Sequence, residues 1–309
     1  VENNLFELWA QMNILNPGLL GSIGEFRRKF INPIEGSKEG GTKEKEYLKR
    51  ITYPFILRRK KEDVLKDLPS KEVIIHYSEM GREQKKIYTT VREYYRQKIK
   101  KIMDERRPKN NLAIDVFTAI LKTRQIALFP DLVDEAYKNV ESCKFESATL
   151  FIEEILQENH KILIFSQFVQ VLKRFKNYFD ASGYDYSFIT GQTRDRDKEI
   201  EEFQKNEKVK LFLLSLKAGG TGINLTAADY VIMYDPWWNP AVEQQAMDRS
   251  HRIGQTKKVT VYKMIVKDTI EEKMLKLQER KQRLVDDLIT TEKGLYKSMD
   301  PADILDLFK

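Results

Sequence analysis

Residues 161–165 of the chain, Lys-Ile-Leu-Ile-Phe, form a short apolar run between two amphipathic helical patterns. A run of this length is typical of a strand that is buried on both faces, as the strands of parallel sheets are. The same alternation of strand and helix continues to residue 289 and predicts an α/β fold, with a parallel sheet between helix layers. The predicted strands are 161–165, 184–189, 209–215, 229–235 and 258–266, and the predicted helices are 146–158, 168–182, 194–206, 240–252 and 269–289.

The first 142 residues have a different pattern, in which helices predominate. Helical periodicity over residues 5–34 is broken at Asn16-Pro17-Gly18, and residues 35–45, rich in Gly, Lys and Glu, predict a mobile loop. The chain thus adds helical parts to a regular α/β part. One further strand and two long helices are predicted at 71–77, 82–103 and 111–129.

The composition of the 309 residues indicates a folded, basic protein. Lysine and arginine exceed aspartate and glutamate by 54 − 47 = 7, which favours a polyanionic partner. Cys143 is the only cysteine and the three histidines are scattered, so neither an internal disulfide nor a metal site is predicted. No apolar run reaches the ~18–20 residues that span a bilayer, and no signal peptide precedes the first polar residues. We therefore predict a soluble intracellular protein without a membrane partner, in the cytoplasm or nucleoid of a prokaryote or the nucleus of a eukaryote.

Two arginines stand out in residues 244–255, Gln-Gln-Ala-Met-Asp-Arg-Ser-His-Arg-Ile-Gly-Gln. Arginine is always charged and carries a rigid fork of donors that matches phosphate oxygens. On the helix predicted over 240–252, Gln245, Arg249 and Arg252 would lie on one face, at i, i+4 and i+7. The spacing predicts an anion clamp, although a solvated basic face is the commoner meaning of an arginine pair.

A longer block gives these arginines a context. It runs from Ser215-Leu-Lys-Ala-Gly-Gly-Thr-Gly-Ile-Asn-Leu-Thr-Ala-Ala-Asp229 into Tyr230-Val-Ile-Met-Tyr-Asp-Pro-Trp-Trp-Asn-Pro240. With the arginines, it resembles motifs V and VI of the Swi/Snf family of DNA-dependent ATPases, which are superfamily-two helicase-like motors. Ile162-Leu-Ile-Phe-Ser-Gln-Phe168 resembles motif IV of the same family.

The resemblance covers nearly the whole chain and implies the C-terminal RecA-like lobe of such a motor, with added α-helical protrusions. The chain has neither a Gly-x-x-x-x-Gly-Lys-Thr phosphate loop nor an Asp-Glu-x-His motif, both of which the family keeps in its first lobe. It follows that ATP and Mg²⁺ would be bound mainly by the first lobe, and that this chain alone would be an inactive part of an ATP hydrolase. The implied domains are the end of the first lobe with the first protrusion (1–35), a loop and inter-lobe linker (36–72), the second protrusion (73–142), the second lobe (143–289) and a C-terminal tail (290–309).

The resemblance also assigns roles to single residues. Arg249 and Arg252 would be arginine fingers acting on ATP that the first lobe holds. The implied partners are double-stranded DNA, contacted mostly through its backbone, and the first RecA-like lobe of the same polypeptide. The implied nucleotide contacts are Gln245, Gly220, Gly222 and Asn224, and the implied DNA contacts are Ser166, Gln167, Gly191, Ser215, Lys217 and Trp238.

Other interpretations of the same residues stay open. The chain could be a lobe of a related motor that acts on RNA or unwinds duplexes, or a nucleic-acid-binding module without turnover. Trp238 could fill a core, and Asn224 could stabilise its loop. Asp235 is expected to anchor its own loop.

Overall fold

The computed structural model describes residues 5–36, 41–57, 68–104, 109–219, 222–237, 239–285 and 307–308. The chain divides into two compact units. Residues 1–66 and 280–304 form the first unit, and residues 67–279 and 305–309 form the second. The second unit carries the sheet and the candidate site.

A six-stranded sheet forms the centre of the second unit, and its neighbouring strands are parallel throughout. Their order across the sheet is β1-β6-β5-β2-β4-β3. β2 lies between β4 and β5, with Ser166 opposite Ser215 and Phe165 opposite Met233, so the carboxyl ends of these three strands lie together. The strands in chain order are β1 (Lys71–Ser78), β2 (Ile162–Ser166), β3 (Tyr186–Ile189), β4 (Leu211–Ser215), β5 (Tyr230–Met233) and β6 (Val259–Val266).

Helices make up most of the remaining described residues. Short 3-10 turns lie at Tyr53–Phe55, Pro130–Leu132 and Glu135–Tyr137, and a π-helical turn lies at Arg27–Ile31. The α-helices are α1 (Leu5–Leu15), α2 (Ile23–Phe26), α3 (Asn32–Gly36), α4 (Thr42–Thr52), α5 (Arg82–Asp104), α6 (Lys109–Leu128), α7 (Cys143–Gln157), α8 (Val169–Ser182), α9 (Arg196–Lys205), α10 (Leu216–Gly219), α11 (Pro240–Met247) and α12 (Ile270–Val285).

The central strands of the sheet are buried on both faces, as their apolar runs predict, whereas the edge strand β1 exposes Val73, Ile75 and Tyr77. In β2, Leu163 and Phe165 enter one core, while Ile162 and Ile164 enter the other. Successive side chains of a strand point to opposite faces, so this division places a core on each side of the sheet. Helices α7 and α8 contribute to the core of Ile164, and α9 and α11 contribute to the core of Phe165. The predicted parallel sheet between helix layers is confirmed.

Local signals in the sequence set several helix ends next to the sheet. The Ser142 hydroxyl accepts a hydrogen bond from the Phe145 N–H at 3.2 Å and so begins α7. Asn239 accepts from the Ala241 N–H at 3.0 Å and begins α11. Gly183 ends α8 with a φ of 72°, in the left-handed region that glycine adopts at low cost.

The largest difference from the sequence prediction is the end of α11. The helix was predicted through residue 252 but ends at Met247, and the Arg249 N–H donates to the Ala246 carbonyl at 3.2 Å in a tighter turn. The Arg249 carbonyl accepts the Leu225 N–H at 3.0 Å, a partner outside the helix. The prediction that Gln245, Arg249 and Arg252 share one helix face is therefore wrong.

Two smaller differences concern the region before residue 80. Helix α4 begins at Thr42, after Gly41 with a φ of 50°, so the loop predicted over 35–45 is wrong at its end. Strand β1 pairs with β6 from Lys71 to Ser78, so the sheet includes residues 73–78 of the segment predicted as the second protrusion (73–142). The predicted domain boundaries stay predictions, and residues 286–289 of the last predicted helix lie outside the described residues.

Candidate nucleotide and DNA site

The two arginines lie toward the amino edge of the sheet, on the chain that leads into β6. The predicted DNA contacts that the structure describes lie at the carboxyl edge. Because the strands are parallel, the chain leaves β2, β3, β4 and β5 at this edge, where open α/β sheets bind their ligands. These strands end at Ser166, Ile189, Ser215 and Met233. Ser166, Gln167, Gly191 and Ser215 lie at or just after these strand ends, Lys217 lies on α10, and Gln245 lies on α11.

Arg249 and Arg252 lie in residues 248–255, after α11, and we call this segment the arginine loop. Arg249 is 8% exposed, whereas Arg252 is exposed. Burial lowers the pKa of Arg249 and the positive charge of Arg252 lowers it further, while Asp248 opposes both effects. A bound anion would favour the charged form of both side chains, so two arginines in one loop fit a phosphate group.

Residues 222–229, which we call the glycine loop, contact the arginine loop through the backbone. The Leu225 N–H donates to the Arg249 carbonyl at 3.0 Å. Gly222 and Gly254, one in each loop, have φ angles of 50° and 100°, which residues with a Cβ rarely adopt. The two loops are thus joined by a backbone hydrogen bond, and each contains a glycine in a conformation that other residues rarely adopt.

The predicted nucleotide contacts occupy different environments. Asn224 has an exposed side chain, and its carbonyl accepts a hydrogen bond from Gln204 Nε2 at 2.9 Å. Asn224 therefore stabilises its loop through the backbone and leaves its side chain accessible. Gln245 is half-buried on α11, Gly222 is exposed in the glycine loop, and Gly220 lies outside the described residues.

The arginine loop is also attached to the chain that enters β1. His251 Nε2 lies 2.8 Å from the Pro69 carbonyl oxygen and donates to it, since a carbonyl can only accept. Lys71 Nζ lies 3.5 Å from Asp248 Oδ1. The end of the segment predicted as the inter-lobe linker is therefore in direct contact with the arginine loop on both sides of Arg249.

Asp235, which follows β5, is fully buried and fixes the end of β2. Its carboxylate accepts hydrogen bonds from the Ser166 hydroxyl, from the Gln167 N–H at 3.3 Å and from Gln167 Nε2 at 2.7 Å. Arg124 Nη2 lies 3.4 Å from this carboxylate and donates to the Pro236 carbonyl at 2.6 Å. Burial raises the pKa of Asp235, and the charge of Arg124 opposes the rise. The expectation that Asp235 anchors its own loop is confirmed.

These contacts change the interpretation of the predicted DNA-binding residues. Ser166 is 0% exposed and Ser215 is 5% exposed, so the positions of their side chains do not support direct contacts with DNA. Gln167 is half-buried and Gly191 is exposed, and both are accessible at the carboxyl edge. The side chain of Lys217 and the whole of Trp238 lie outside the described residues.

Sequence reasoning missed the buried charged residues that hold the loops at this edge. Glu243 on α11 is 1% exposed and accepts hydrogen bonds from the Trp237 N–H at 2.6 Å and from Gln278 Nε2 at 2.9 Å. Lys263 Nζ lies 2.6 Å from its second carboxylate oxygen. Arg124 on α6 also holds the residues that follow β5, through its contacts with Asp235 and Pro236. The only signal in the sequence was a charged residue within each helical pattern.

Within the described part of the chain, no group of three or more His, Cys, Asp or Glu side chains is placed to hold a metal ion. The helices of that part include none that is long and apolar enough to span a bilayer.

Comparisons with known proteins identify the family. Residues 146–254 match the helicase conserved C-terminal domain, and residues 1–132 match the SNF2-related domain. The solved C-terminal domain of the Sulfolobus solfataricus SWI2/SNF2 ATPase is 31% identical to the chain, with a TM-score of 0.62 over 77% of the chain and 98% of that domain. The chain belongs to the SWI2/SNF2 ATPase family. The predicted family and the predicted RecA-like fold with its helical additions are confirmed.

Other relatives resemble the chain over all or nearly all of its length. The Sulfolobus solfataricus SWI2/SNF2 ATPase core in complex with dsDNA is 36% identical, with a TM-score of 0.64 over 99% of the chain and 64% of that core. A putative ATP-dependent helicase/translocase of Bacillus subtilis, YwqA, is 37% identical over 100% of the chain and 33% of its own length. An uncharacterized ATP-dependent helicase of Mycoplasma pneumoniae is 37% identical over 100% of the chain and 29% of its own length. The chain thus spans about a third or less of these two curated relatives.

Proposed function

We propose that the chain is the second motor lobe of an ATP-dependent translocase or remodeller of double-stranded DNA. The first RecA-like lobe of the same polypeptide would hold ATP and Mg²⁺, and closure of the two lobes would bring Arg249 and Arg252 to the γ-phosphate. The observation that carries the proposal is a loop that holds two arginines, the exposed Arg252 among them, and that is hydrogen-bonded to the glycine loop between Leu225 and Arg249. The domain boundaries predicted from the sequence belong to this proposal, with β1 added to the sheet of the second lobe.

The chemistry of phosphoryl transfer explains the role of the arginines. Negative charge spreads over the oxygens of the transferring group, and a cation placed there stabilises the transition state. An arginine finger from a separate surface typically accelerates hydrolysis by ~10³–10⁵, or about 4–7 kcal/mol. Arg249 is largely withdrawn from water, which strengthens its interaction with an anion. Arg252 is exposed and can therefore reach toward a nucleotide bound by another lobe.

The residues described here fit ATP better than they fit its metal ion. The guanidinium pair matches a phosphate group, and the exposed Asn224 and Gly222 lie in the loop bonded to it. Mg²⁺ prefers carboxylate and phosphate oxygens, and the described residues offer no cluster of acidic side chains for it. By the family resemblance, the first lobe would supply the protein ligands of Mg²⁺, and the ion would add positive charge beside the phosphates.

We propose that DNA lies along the carboxyl edge of the sheet and is contacted mainly through its backbone. Gln167, Gly191, Lys217 and Trp238 would make the contacts, and the buried Ser166 and Ser215 would support them from within the sheet. A net charge of +7 and the similarity to a SWI2/SNF2 core solved with dsDNA support this assignment.

Binding of duplex DNA by the full-length protein is expected to be independent of sequence and to weaken with salt. The logarithm of the binding constant should fall linearly with the logarithm of salt concentration, by about 0.9 for each phosphate neutralised. Lys217→Ala should lower this slope by about 0.9, because one phosphate contact is lost. Fluorescence anisotropy with labelled duplexes of different sequence measures both properties. A slope that Lys217→Ala leaves unchanged, or a strong preference for one duplex, would contradict these contacts.

Ser166→Ala is expected to reduce stability and to leave DNA affinity unchanged. The buried Asp235 loses one of its donors, so the free energy of unfolding should fall by about 1–3 kcal/mol. Urea unfolding and DNA titration of the same variant separate the two effects. If DNA affinity fell while stability stayed at the wild-type value, Ser166 would be a DNA contact after all.

The proposed function is tested by joining the chain to its upstream lobe and measuring ATP turnover with duplex DNA, single-stranded DNA and RNA. We expect duplex DNA to stimulate turnover most, and we expect the 309 residues alone to turn over ATP negligibly. Stronger stimulation by RNA would indicate the related RNA motor. Binding of nucleic acid by the joined protein without any turnover would indicate a binding module.

A further inference from the structure

Gln255 ends the arginine loop and is 7% exposed. Its Nε2 atom lies within hydrogen-bonding distance of three backbone carbonyl oxygens, those of Ala228 at 2.8 Å, Thr226 at 3.1 Å and Ser250 at 3.1 Å. Its Oε1 atom accepts the Lys257 N–H at 2.9 Å. Both polar atoms of the side-chain amide thus form hydrogen bonds inside the protein, and the amide makes no contribution to the surface that would meet nucleotide or DNA.

The three carbonyl groups belong to two different loops. Thr226 and Ala228 are in the glycine loop, and Ser250 lies between the two arginines. Two amide hydrogens therefore connect the backbone of the glycine loop to the backbone that carries Arg249 and Arg252. The backbone N–H of Gln255 adds a bond to the Arg252 carbonyl at 2.9 Å, which closes the arginine loop on itself.

The chemistry of the position is specific for glutamine. A glutamate at 255 has the same shape, but its carboxylate has no hydrogen to donate and would face three carbonyl oxygens. An asparagine is one methylene shorter.

We propose that Gln255 is a positioning residue that couples the glycine loop to the arginine fingers. The inference rests on the proposed function, in which the glycine loop follows a DNA-contacting segment and the arginine loop meets ATP. When DNA fixes the glycine loop, Gln255 fixes the carbonyl between the two arginines, and the guanidinium groups are held where the γ-phosphate arrives. Without this connection the arginines keep their charge and lose their placement, and a misplacement of about 1 Å costs up to about 100-fold in rate.

The test uses the full-length protein carrying Gln255→Glu. We expect the kcat of DNA-stimulated ATP hydrolysis to fall by about 10- to 100-fold, with the KM for ATP and the affinity for duplex DNA within about twofold of wild type. Gln157→Glu is the matched control, because it makes the same chemical change on an exposed residue at the end of α7, next to the amino end of β2. The control should keep the wild-type kcat.

Two further variants make the outcome decisive. Gln255→Met keeps the length of the side chain without adding charge, and it carries the test if Gln255→Glu does not fold. Full DNA stimulation in a folded Gln255 variant would overturn the inference. If Arg252→Ala abolishes turnover while the Gln255 variants retain it, only the positioning role fails. If Arg252→Ala itself retains turnover, the proposed function fails first.

Discussion

Arg252→Ala in the full-length protein is expected to abolish DNA-stimulated ATP hydrolysis while DNA affinity stays close to the wild-type value. The exposed guanidinium of Arg252 would contribute to the transition state and not to the DNA interface, so kcat should fall by about 10³-fold or more. Steady-state ATPase assays at saturating duplex DNA measure the loss, and anisotropy titration measures DNA affinity. Binding of a fluorescent ATP analogue should persist, because the first lobe would hold the nucleotide.

Two variants make the Arg252 result specific. Arg252→Lys keeps a positive charge without the planar fork, so it should recover only a small part of the activity. Lys258→Ala removes one exposed positive charge from the chain just after the arginine loop and should leave turnover unchanged. If turnover in Arg252→Ala matched that of the Lys258→Ala control, the arginine-finger assignment would be incorrect.

Lys144→Met is expected to lower the free energy of unfolding by about 3–5 kcal/mol. Lys144 and Glu271 are both 0% exposed, and Lys144 Nζ lies 2.5 Å from Glu271 Oε2. The same ammonium group donates to the Tyr234 carbonyl at 3.0 Å, directly before Asp235. Removing the cation leaves the Glu271 carboxylate buried without its charged partner, which is far more costly than losing an ion pair in water. Urea unfolding at a fixed pH measures the change.

We expect the lower free energy of unfolding of Lys144→Met to come from the unpaired Glu271 carboxylate and not from lost side-chain volume. Lys144→Met/Glu271→Leu removes both charges and should recover most of the stability. Lys205→Met breaks the exposed pair with Glu201 and should leave the unfolding midpoint unchanged within error. A double variant that is as unstable as Lys144→Met would show that packing, not charge, sets the cost.

The sheet was predictable from the sequence because its strands are continuous apolar runs. Ile162–Ser166 and Leu211–Ser215 lie within one or two residues of their predicted bounds, since burial on both faces requires apolar residues at every position. Family membership followed from the long blocks around the glycines and arginines. Both signals are local in the chain, so spacing and composition were enough to find them.

The geometry of the site depends on distant partners and was less predictable. The helical periodicity of residues 240–252 does not reveal that the Leu225 N–H donates to the Arg249 carbonyl. This hydrogen bond accompanies the end of α11 before the two arginines. Ser166 matches a position of motif IV, but its hydroxyl donates a hydrogen bond to the buried Asp235, which follows β5. In the sequence, Gln255 is only the last residue of the motif that contains the two arginines. Its three carbonyl partners come close to it only in the folded chain.

The central claim is that this lobe brings a guanidinium pair to a nucleotide held by another lobe. It is tested most directly by a structure of the full-length protein bound to duplex DNA and a γ-phosphate mimic, from which the arginine-to-phosphate distances are measured. The proposal predicts nitrogens of Arg249 or Arg252 within about 3 Å of the mimic's terminal oxygens or fluorines, a normal charge-assisted hydrogen bond. A closed complex in which both guanidinium groups stay beyond about twice that distance would contradict the proposal.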